Sequence, residues 1–320
     1  MQILVTGGAG FIGSHLVDIL LREPSANVTV IDDLSSGRRV NLQSALSSGR
    51  VTLLHGSLLD PETFAAVDEA PQAIFHLAAN GDIQLGAEDT DLDMRNGVMA
   101  TRNVLDAALR LGTREVVFAS SSAVYGSPVL VPTPESYGPL IPESLYGAAK
   151  LAAEGYVSAY CHSFDLQGWI FRFANIVGPR TRRGAPSEFV AQAVTDGNIR
   201  MLSDGTPAKN FTHVSDCVAA VIHLWKQARS SRINIFNVGS TGRVSVRGIA
   251  EEIAQALQRD VPIVAGSKPS AWPGDIVNME LDCSAASRYG WEPEFDCVAA
   301  VRRGVADLIA EMQTGENAEP

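Results

Sequence analysis

Residues 2–16 read QILVTGGAGFIGSHL, and residues 27–32, a little further along the chain, read NVTVID. The apolar run at 3–5 predicts a buried parallel strand, and the glycines after it open a helix. These glycines fit both G-x-G-x-x-G and T-G-x-x-G-x-x-G, each ending at Gly13. Either spacing gives a tight turn in which free N–H groups at a helix N-terminus can hold a pyrophosphate.

The acidic residue that closes the second apolar run supports this interpretation. Asp32 lies about 20 residues beyond the glycines, where a carboxylate can hold the ribose of adenosine. A carboxylate there repels a 2′-phosphate, so the predicted cofactor is NAD rather than NADP. A glycine turn alone also occurs between ordinary strands and helices, but strand, helix and Asp32 together favour a dinucleotide site.

The composition is that of an ordinary globular protein. A chain of 320 residues with 46% hydrophobic and 19% charged residues can bury a large core. The net charge of -11 is offset by no basic stripe, which argues against a nucleic-acid partner. Without a long apolar run or an export signal, we expect no membrane insertion and a cytoplasmic location. The scattered cysteines are expected to be reduced, and the histidines lack metal-ligand spacing, so we expect no metal site.

Strand and helix patterns alternate along the first half of the chain. The predicted strands cover 3–5, 27–31, 51–54, 73–77, 115–119 and 169–173, and the main predicted helices cover 97–111, 146–161, 215–227 and 246–257. This alternation predicts a doubly wound, Rossmann-like parallel sheet with helices on both faces. We expect an NAD-binding domain at 1–175, with chain returning to it later, a smaller mixed α/β substrate lobe at 176–312, and a frayed tail at 313–320.

A hydroxyl-rich loop and a tyrosine–lysine pair supply candidate catalytic groups. The loop SSSAVYG follows the fifth predicted strand, and Tyr146 and Lys150 lie one turn apart on the next predicted helix. A tyrosine acting as a base near neutral pH needs its pKa of about 10 lowered by roughly three units. We expect the Lys150 ammonium and a positive nicotinamide ring to lower it, with a serine hydroxyl sharing the proton path. An aromatic ring packed on a lysine stem is the ordinary alternative, but the dinucleotide pattern upstream favours catalysis.

Seven motifs follow one another over nearly the whole chain: TGGAGFIGSH, DDLSSG, HLAA, SSSAVYG, YGAAK, RFANIVGP and WPGD. With these motifs the chain resembles the extended short-chain dehydrogenases/reductases of the NAD-dependent epimerase/dehydratase family. Within that family it is most similar to the UDP-glucose (UDP-galactose) 4-epimerases. The resemblance implies tightly bound NAD, a nucleotide-sugar substrate such as a UDP-hexose, and a homodimer formed through the helices near 98–111 and 151–161.

The resemblance also implies roles for individual residues. Ser121, Tyr146 and Lys150 would be catalytic, and Asn175 and Lys209 would meet the diphosphate of the substrate. The residues expected to contact NAD are Gly7, Gly10, Phe11, Ile12, Gly13, Asp32, Asp33, Ser35, Gly37, Ser57, Leu58, Leu77, Ala78, Ala79, Ala119, Tyr146, Lys150 and Phe173. The residues expected to contact the substrate are Ser121, Ser122, Ala123, Tyr146, Asn175, Lys209, Asp275 and Met279.

The loop at 121–123 discriminates among the reactions of the family. The 4,6-dehydratases carry Thr-Asp-Glu there and the decarboxylating relatives keep the glutamate, whereas this chain has Ser-Ser-Ala. Without those carboxylates, elimination lacks its proton donor and acceptor. The sequence therefore favours a 4-epimerase: Tyr146, assisted by Ser121, takes the C4 hydroxyl proton, and hydride leaves C4 and returns to the opposite face of a 4-keto sugar.

Some positions depart from the family's pattern. Trp272 stands where an arginine usually precedes Pro-Gly-Asp, and Lys209 begins Lys-Asn where Arg-Asp is common. The asparagine usually found four residues before Thr101 is Gly97 here, with Asn96 one position out of register. Candidate cations to replace the missing arginine are Arg180, Arg182, Arg183 and Lys209.

The sugar is the least determined part of the prediction. Met279 falls where the 4-epimerases restrict bulky 2-N-acetyl groups, and a flexible methionine there favours turnover of both UDP-galactose and UDP-N-acetylgalactosamine. The alternatives are an epimerase of another nucleotide sugar, such as UDP-glucuronate or a UDP-N-acetylhexosamine, and an NDP-4-ketosugar reductase, which would depend on added NADH. A third alternative is a non-catalytic NAD-binding regulator. The presence of Ser121, Tyr146 and Lys150 argues against it.

Overall fold

A computed structural model describes residues 1–67, 69–272 and 274–314 of the chain. Of the predicted frayed tail, residues 313 and 314 belong to the last helix, and 315–320 lie outside the described residues.

Strands and helices alternate in the order that the sequence predicts. The strands are β1 (Gln2–Thr6), β2 (Asn27–Asp32), β3 (Val51–His55), β4 (Ala73–His76), β5 (Glu115–Ser121), β6 (Gln167–Phe173), β7 (Asn175–Val177), β8 (Ile199–Arg200), β9 (Ala208–Lys209), β10 (Phe211–His213), β11 (Ile233–Val238), β12 (Val244–Ser245), β13 (Ile263–Val264) and β14 (Asn278–Met279). The α-helices are α1 (Phe11–Leu20), α2 (Gln43–Ser47), α3 (Ile83–Glu88), α4 (Thr90–Asp93), α5 (Ala100–Leu111), α6 (Leu145–Phe164), α7 (Ala185–Thr195), α8 (Val214–Gln227), α9 (Val246–Leu257), α10 (Ser284–Ser287) and α11 (Cys297–Thr314). Short 3₁₀ turns cover Arg39–Leu42, Pro61–Ala66 and Ser122–Tyr125.

Seven strands form one parallel sheet in the order β3-β2-β1-β4-β5-β6-β11. Side chains alternate between its two faces, as β1 illustrates. Ile3 and Val5 pack in the layer that contains α1 and α8, whereas Leu4 packs in the layer that contains α5 and α6. The prediction of a doubly wound, Rossmann-like sheet with helices on both faces is confirmed.

A second, smaller cluster of helices and short strands lies after β6. Its core is formed by α7, α9 and α11 around buried residues such as Phe189, Ile249 and Val301. Two later elements return to the main sheet: β11 pairs with β6, and α8 packs on the same face as α1. The connections therefore bring the second lobe over the carboxyl ends of the main strands.

The helix predicted over 97–111 begins differently from the expectation. A π-helical segment, Met94–Met99, precedes α5. A π-turn closes its hydrogen bonds over five residues rather than four, so it holds one residue more than an α-turn. This extra residue lies in the segment where Asn96 stands one position before the place of the family's usual asparagine. Asn96 lines the central cavity.

The glycine turn generates a test of the packing between β1 and α1. A Cβ at Gly13 would collide with the backbone carbonyl of Gly7, whereas a Cβ at Gly81 would meet nothing within 4 Å. We expect Gly13→Ala to lower the free energy of unfolding by about 1–3 kcal/mol, because backbone has to shift, and Gly81→Ala to change it by less than about 0.5 kcal/mol. Urea denaturation of both variants measures this, and equal midpoints would contradict the close approach.

Candidate active site

A cavity of about 940 Å³ lies at the carboxyl ends of the main strands, between the sheet and the second lobe. It is lined by the loops that leave β1 to β5 and by residues of the second lobe. All the site residues predicted from the sequence line it except Gly37. Ligands of open α/β sheets bind at this edge, so the cavity is the candidate active site.

The loop after β1 fits a pyrophosphate. Gly7 has φ +70°, and a Cβ there would lie 2.6 Å from the backbone nitrogen of Ala78 on the next loop. The helix α1 begins after Gly10 with no side chain capping it. Its first N–H groups therefore remain available for an anion, at the positive end of the helix dipole.

Asp32 is held in position by the backbone on both sides. Its carboxylate accepts hydrogen bonds from the N–H groups of Ala9 (2.9 Å) and Leu34 (2.9 Å). Gly37 packs directly against it, since a Cβ at Gly37 would lie 2.6 Å from Oδ1. Gly37 therefore packs against the Asp32 carboxylate and does not line the cavity. The glycine loop and this fixed carboxylate together fit the pyrophosphate and ribose of NAD.

A buried chain of hydrogen bonds connects the glycine loop to the π-helical segment. The Thr6 hydroxyl lies 2.7 Å from Nδ1 of His76, and Nε2 of His76 lies 3.0 Å from the Thr101 hydroxyl, which donates to the Gly97 carbonyl. Burial lowers the pKa of His76 to about 3, so the imidazole is neutral. His76 therefore spaces β1 from the helix that carries Asn96 and has no acid–base role at neutral pH.

The structure brings Ser121, Tyr146 and Lys150 together at the cavity wall. Ser121 ends β5, and its side chain lies beside that of Tyr146 on α6 at the cavity wall. Lys150, one turn further along α6, donates from Nζ to the Ala119 carbonyl at 2.6 Å and lies 5.8 Å from the centre of the Tyr146 ring. The helix begins with a capping bond from the Gly147 N–H to the Ser144 hydroxyl, which fixes the first turn and with it Tyr146.

The expected lowering of the Tyr146 pKa is not supplied by the protein's own groups. Burial raises the pKa of Tyr146 to about 12, the hydrogen bond with Ser121 opposes this rise, and the Asp93 carboxylate adds to it. Burial also lowers the pKa of Lys150 to about 8, while Glu154 and Asp93 act to raise it. The sequence argument missed the cost of removing both groups from water, which exceeds the effect of one ammonium.

On the substrate side, Lys209 faces the cavity from β9. Its Nζ pairs with Asp275 Oδ1 at 2.5 Å and lies 5.7 Å from the centre of the Trp272 ring. Asn175 also lines the cavity, and its side-chain amide donates to the Asn210 carbonyl at 3.1 Å. A lysine braced by Asp275 therefore stands beside the tryptophan that replaces the family's usual arginine.

Two acidic residues of this region were not singled out from the sequence. Asp82 lines the cavity and forms an ion pair with Arg183, so it joins the loop after β4 to the loop before α7. Asp82 also caps α3, and its position before an apolar run was the available signal. Asp93 is buried behind Tyr146, and its Oδ1 accepts from Asn80. In the sequence, Asp93 resembles the exposed acidic residues beside it, so no sequence pattern indicates that it is buried.

Two further features bear on the predictions from composition. In the described parts of the chain, no three His, Cys, Asp or Glu side chains cluster as a metal site would require. Over the same residues, no helix combines the length and the hydropathy needed to cross a bilayer.

Comparison with known proteins agrees with this geometry. A model of the NAD dependent epimerase/dehydratase family matches residues 3–239. The chain is 33% identical to a UDP-glucose 4-epimerase of Mycolicibacterium smegmatis over 97% of both chains. It is 32% identical to UDP-glucuronic acid decarboxylase 6 of Arabidopsis thaliana over 92% of this chain and 84% of that protein. A crystal structure of a UDP-galactose 4-epimerase matches with a TM-score of 0.87 and 35% identity, over 98% of this chain and 100% of the other. The protein is therefore a member of the NAD-dependent epimerase/dehydratase family, and its cofactor is NAD.

Proposed function

We propose that the protein is a nucleotide-sugar 4-epimerase that interconverts UDP-glucose and UDP-galactose. The observation that carries this proposal is the cavity wall at 121–123, where two hydroxyls and a methyl group stand beside Tyr146. Elimination and decarboxylation chemistry in this family draws on carboxylates at that wall. The buried Asp93 does not line the cavity, so it is no substitute for them.

In the proposed reaction, Tyr146 takes the proton of the C4 hydroxyl, and the neighbouring Ser121 hydroxyl shares it. When bound, NAD supplies the acceptor and later the donor of the C4 hydride, together with a positive ring that favours the phenolate. Lys150 keeps its ammonium behind the tyrosine ring by bonding the Ala119 carbonyl. The 4-keto sugar then presents its other face, for which the cavity of about 940 Å³ leaves room.

The diphosphate is proposed to lie between Asn175 and Lys209. The Lys209 ammonium has three N–H donors, so its bond to Asp275 leaves others for a phosphate oxygen. The proposal also includes the division of the chain into an NAD-binding domain at 1–175 and a substrate lobe at 176–312. A cytoplasmic location stays a prediction.

The first test uses the purified protein and UDP-galactose without added cofactor. We expect UDP-glucose to form, and Tyr146→Phe to slow its formation on the order of 10³-fold with NAD retained, because the ring loses its only acid–base group. UDP-glucose is measured by its enzymatic oxidation in samples taken after the reaction has been stopped, and retained NAD is measured by its release on denaturation.

Tyr156→Phe, which removes an exposed hydroxyl on the same helix, is the matched control and should keep full activity. Turnover that requires added NADH would instead indicate a 4-ketosugar reductase. Inertness toward UDP-galactose but turnover of UDP-glucuronate would indicate a different sugar, and inertness toward every nucleotide sugar a non-catalytic regulator.

Met279 generates a second prediction, about the sugar's C2 substituent. Its side chain is 2% exposed, packs with Val124 and Tyr125, and borders the cavity. A methionine can change rotamer and make room for an N-acetyl group. We expect similar kcat/KM for UDP-galactose and UDP-N-acetylgalactosamine, and Met279→Tyr to reduce only the second, by about tenfold or more. Strict rejection of UDP-N-acetylgalactosamine by the unaltered protein would contradict this.

We also propose that the protein forms a homodimer through α5, with Met99 of the π-helical segment that precedes it, and α6. Met99 and Tyr156 on these neighbouring elements are 51% and 43% exposed. Ala148 and Ala152 are exposed on the same side of α6. Such a face of small and apolar side chains allows two copies to pack closely around a twofold axis.

Light scattering tests the dimer. We expect a mass about twice that of the 34.0 kDa chain. Ala152→Arg should yield a monomer because it places a charge in the proposed contact, whereas Gln255→Arg on the exposed side of α9 should stay a dimer. A monomeric unaltered protein would refute the proposed assembly.

A further inference from the structure

Three side chains of α6, four residues apart, face the end of one strand. Tyr146 lies beside Ser121, Lys150 donates to the Ala119 carbonyl, and Glu154 accepts from the Ser120 hydroxyl at 2.5 Å. The last three residues of β5 are thus each tied to one turn of the helix. The contacts of Tyr146 and Lys150 belong to the proposed reaction, whereas the contact between Glu154 and Ser120 has no assigned role.

Glu154 is held from its other side by Arg172 on the neighbouring strand β6. Arg172 donates from Nε to Oε1 at 3.0 Å and from Nη2 to Oε2 at 2.7 Å. The two side chains are 6% and 5% exposed. Both carboxylate oxygens therefore have a guanidinium partner in a nearly buried, bidentate pair, which holds the Glu154 side chain in one geometry.

The same arginine continues the network toward the second lobe. Its Nη1 donates to the Tyr125 hydroxyl at 3.0 Å, and that hydroxyl donates to Asn237 Oδ1 at 2.7 Å. The amide of Asn237 donates to the carbonyl of Asp282 at 2.9 Å, three residues after Met279. Through Arg172, Glu154 thus connects the catalytic helix, on which it lies, to the segment that borders the sugar side of the cavity.

Charged and titratable groups surround Lys150 on every packed element. Glu154 and Tyr146 lie on its own helix, Asp93 at the end of α4, and the neutral His76 on β4. From β5 the ammonium meets only the Ala119 carbonyl and the Phe118 ring, whose centre is 4.9 Å away. Among these groups the Glu154 carboxylate, which is itself paired with Arg172, acts to raise the pKa of Lys150.

We propose that Glu154, fixed by Arg172, is a positioning residue: it holds the end of β5 against α6 and thereby keeps the Lys150 ammonium bonded to the Ala119 carbonyl behind Tyr146. The inference deepens the proposed epimerase and rests on it for its effect on turnover. The effect on Lys150 itself does not need a substrate.

Lysine titration gives the direct test. The chain contains only four lysines, at 150, 209, 226 and 268, so ¹³C-lysine NMR resolves them, and Lys150→Met assigns the signal of interest. In Glu154→Gln we expect the Lys150 midpoint to fall by about one pH unit, because a loosened end of β5 weakens the bond from the ammonium to the Ala119 carbonyl, and that bond favours the charged form. The alkaline limb of kcat should move by the same amount, with KM for UDP-galactose changed less than kcat.

The control is Glu252→Gln, which breaks another bidentate pair with an arginine, Arg302 on α11. It should leave the lysine titration and the kcat profile unchanged. If Glu154→Gln fails to fold because Arg172 is left unpaired, the double variant Glu154→Gln/Arg172→Met buries no lone charge and serves instead. An unshifted Lys150 midpoint in either folded variant overturns the proposal.

The two proposals fail separately. If the unaltered protein does not turn over UDP-galactose, the proposed function fails, and the lysine titration still decides the role of Glu154. If the midpoint moves but kcat falls equally at all pH values, Glu154 does not act through Lys150, and the positioning role is refuted.

Discussion

The structure depends on one constraint: the seven main strands run parallel, so their carboxyl ends meet at one edge. Parallel strands need crossover helices, and those helices cover both faces and leave only that edge open. The glycine turn, Asp32, the serine loop and the start of α6 come from distant parts of the chain, yet they border one cavity. The second lobe closes over this edge because β11 brings the chain back to the sheet.

Contacts between polar groups then fix the cavity wall. The glycine loop is tied to the π-helical segment through His76, and β5 is tied to α6 by successive side chains. Each of these groups is buried and has a hydrogen-bond partner, because a buried polar group without one is energetically unfavourable. The wall is therefore rigid where the cofactor and the sugar's reacting carbon are expected, whereas the second lobe reaches it through short two- and three-residue strands.

The sequence predicts the sheet well because apolar runs such as 3–5 and 73–77 need no information beyond their neighbours. It also predicts which residues share the cavity, since strand ends are ordered by topology. It does not predict the contact of Asp82 with Arg183, which are 101 positions apart and meet through two loops. Nor does it predict that burial raises the pKa of Tyr146, because burial depends on the packed surroundings.

The π-helical segment has a consequence for how this chain tolerates a change in its length. A widened turn stores one residue without altering the axis of the helix that follows. The Thr101 hydroxyl takes up the Gly97 carbonyl there, so the turn leaves that acceptor satisfied. A one-residue insertion or deletion in this segment is thus absorbed within a single turn, and α5 keeps its register against the sheet.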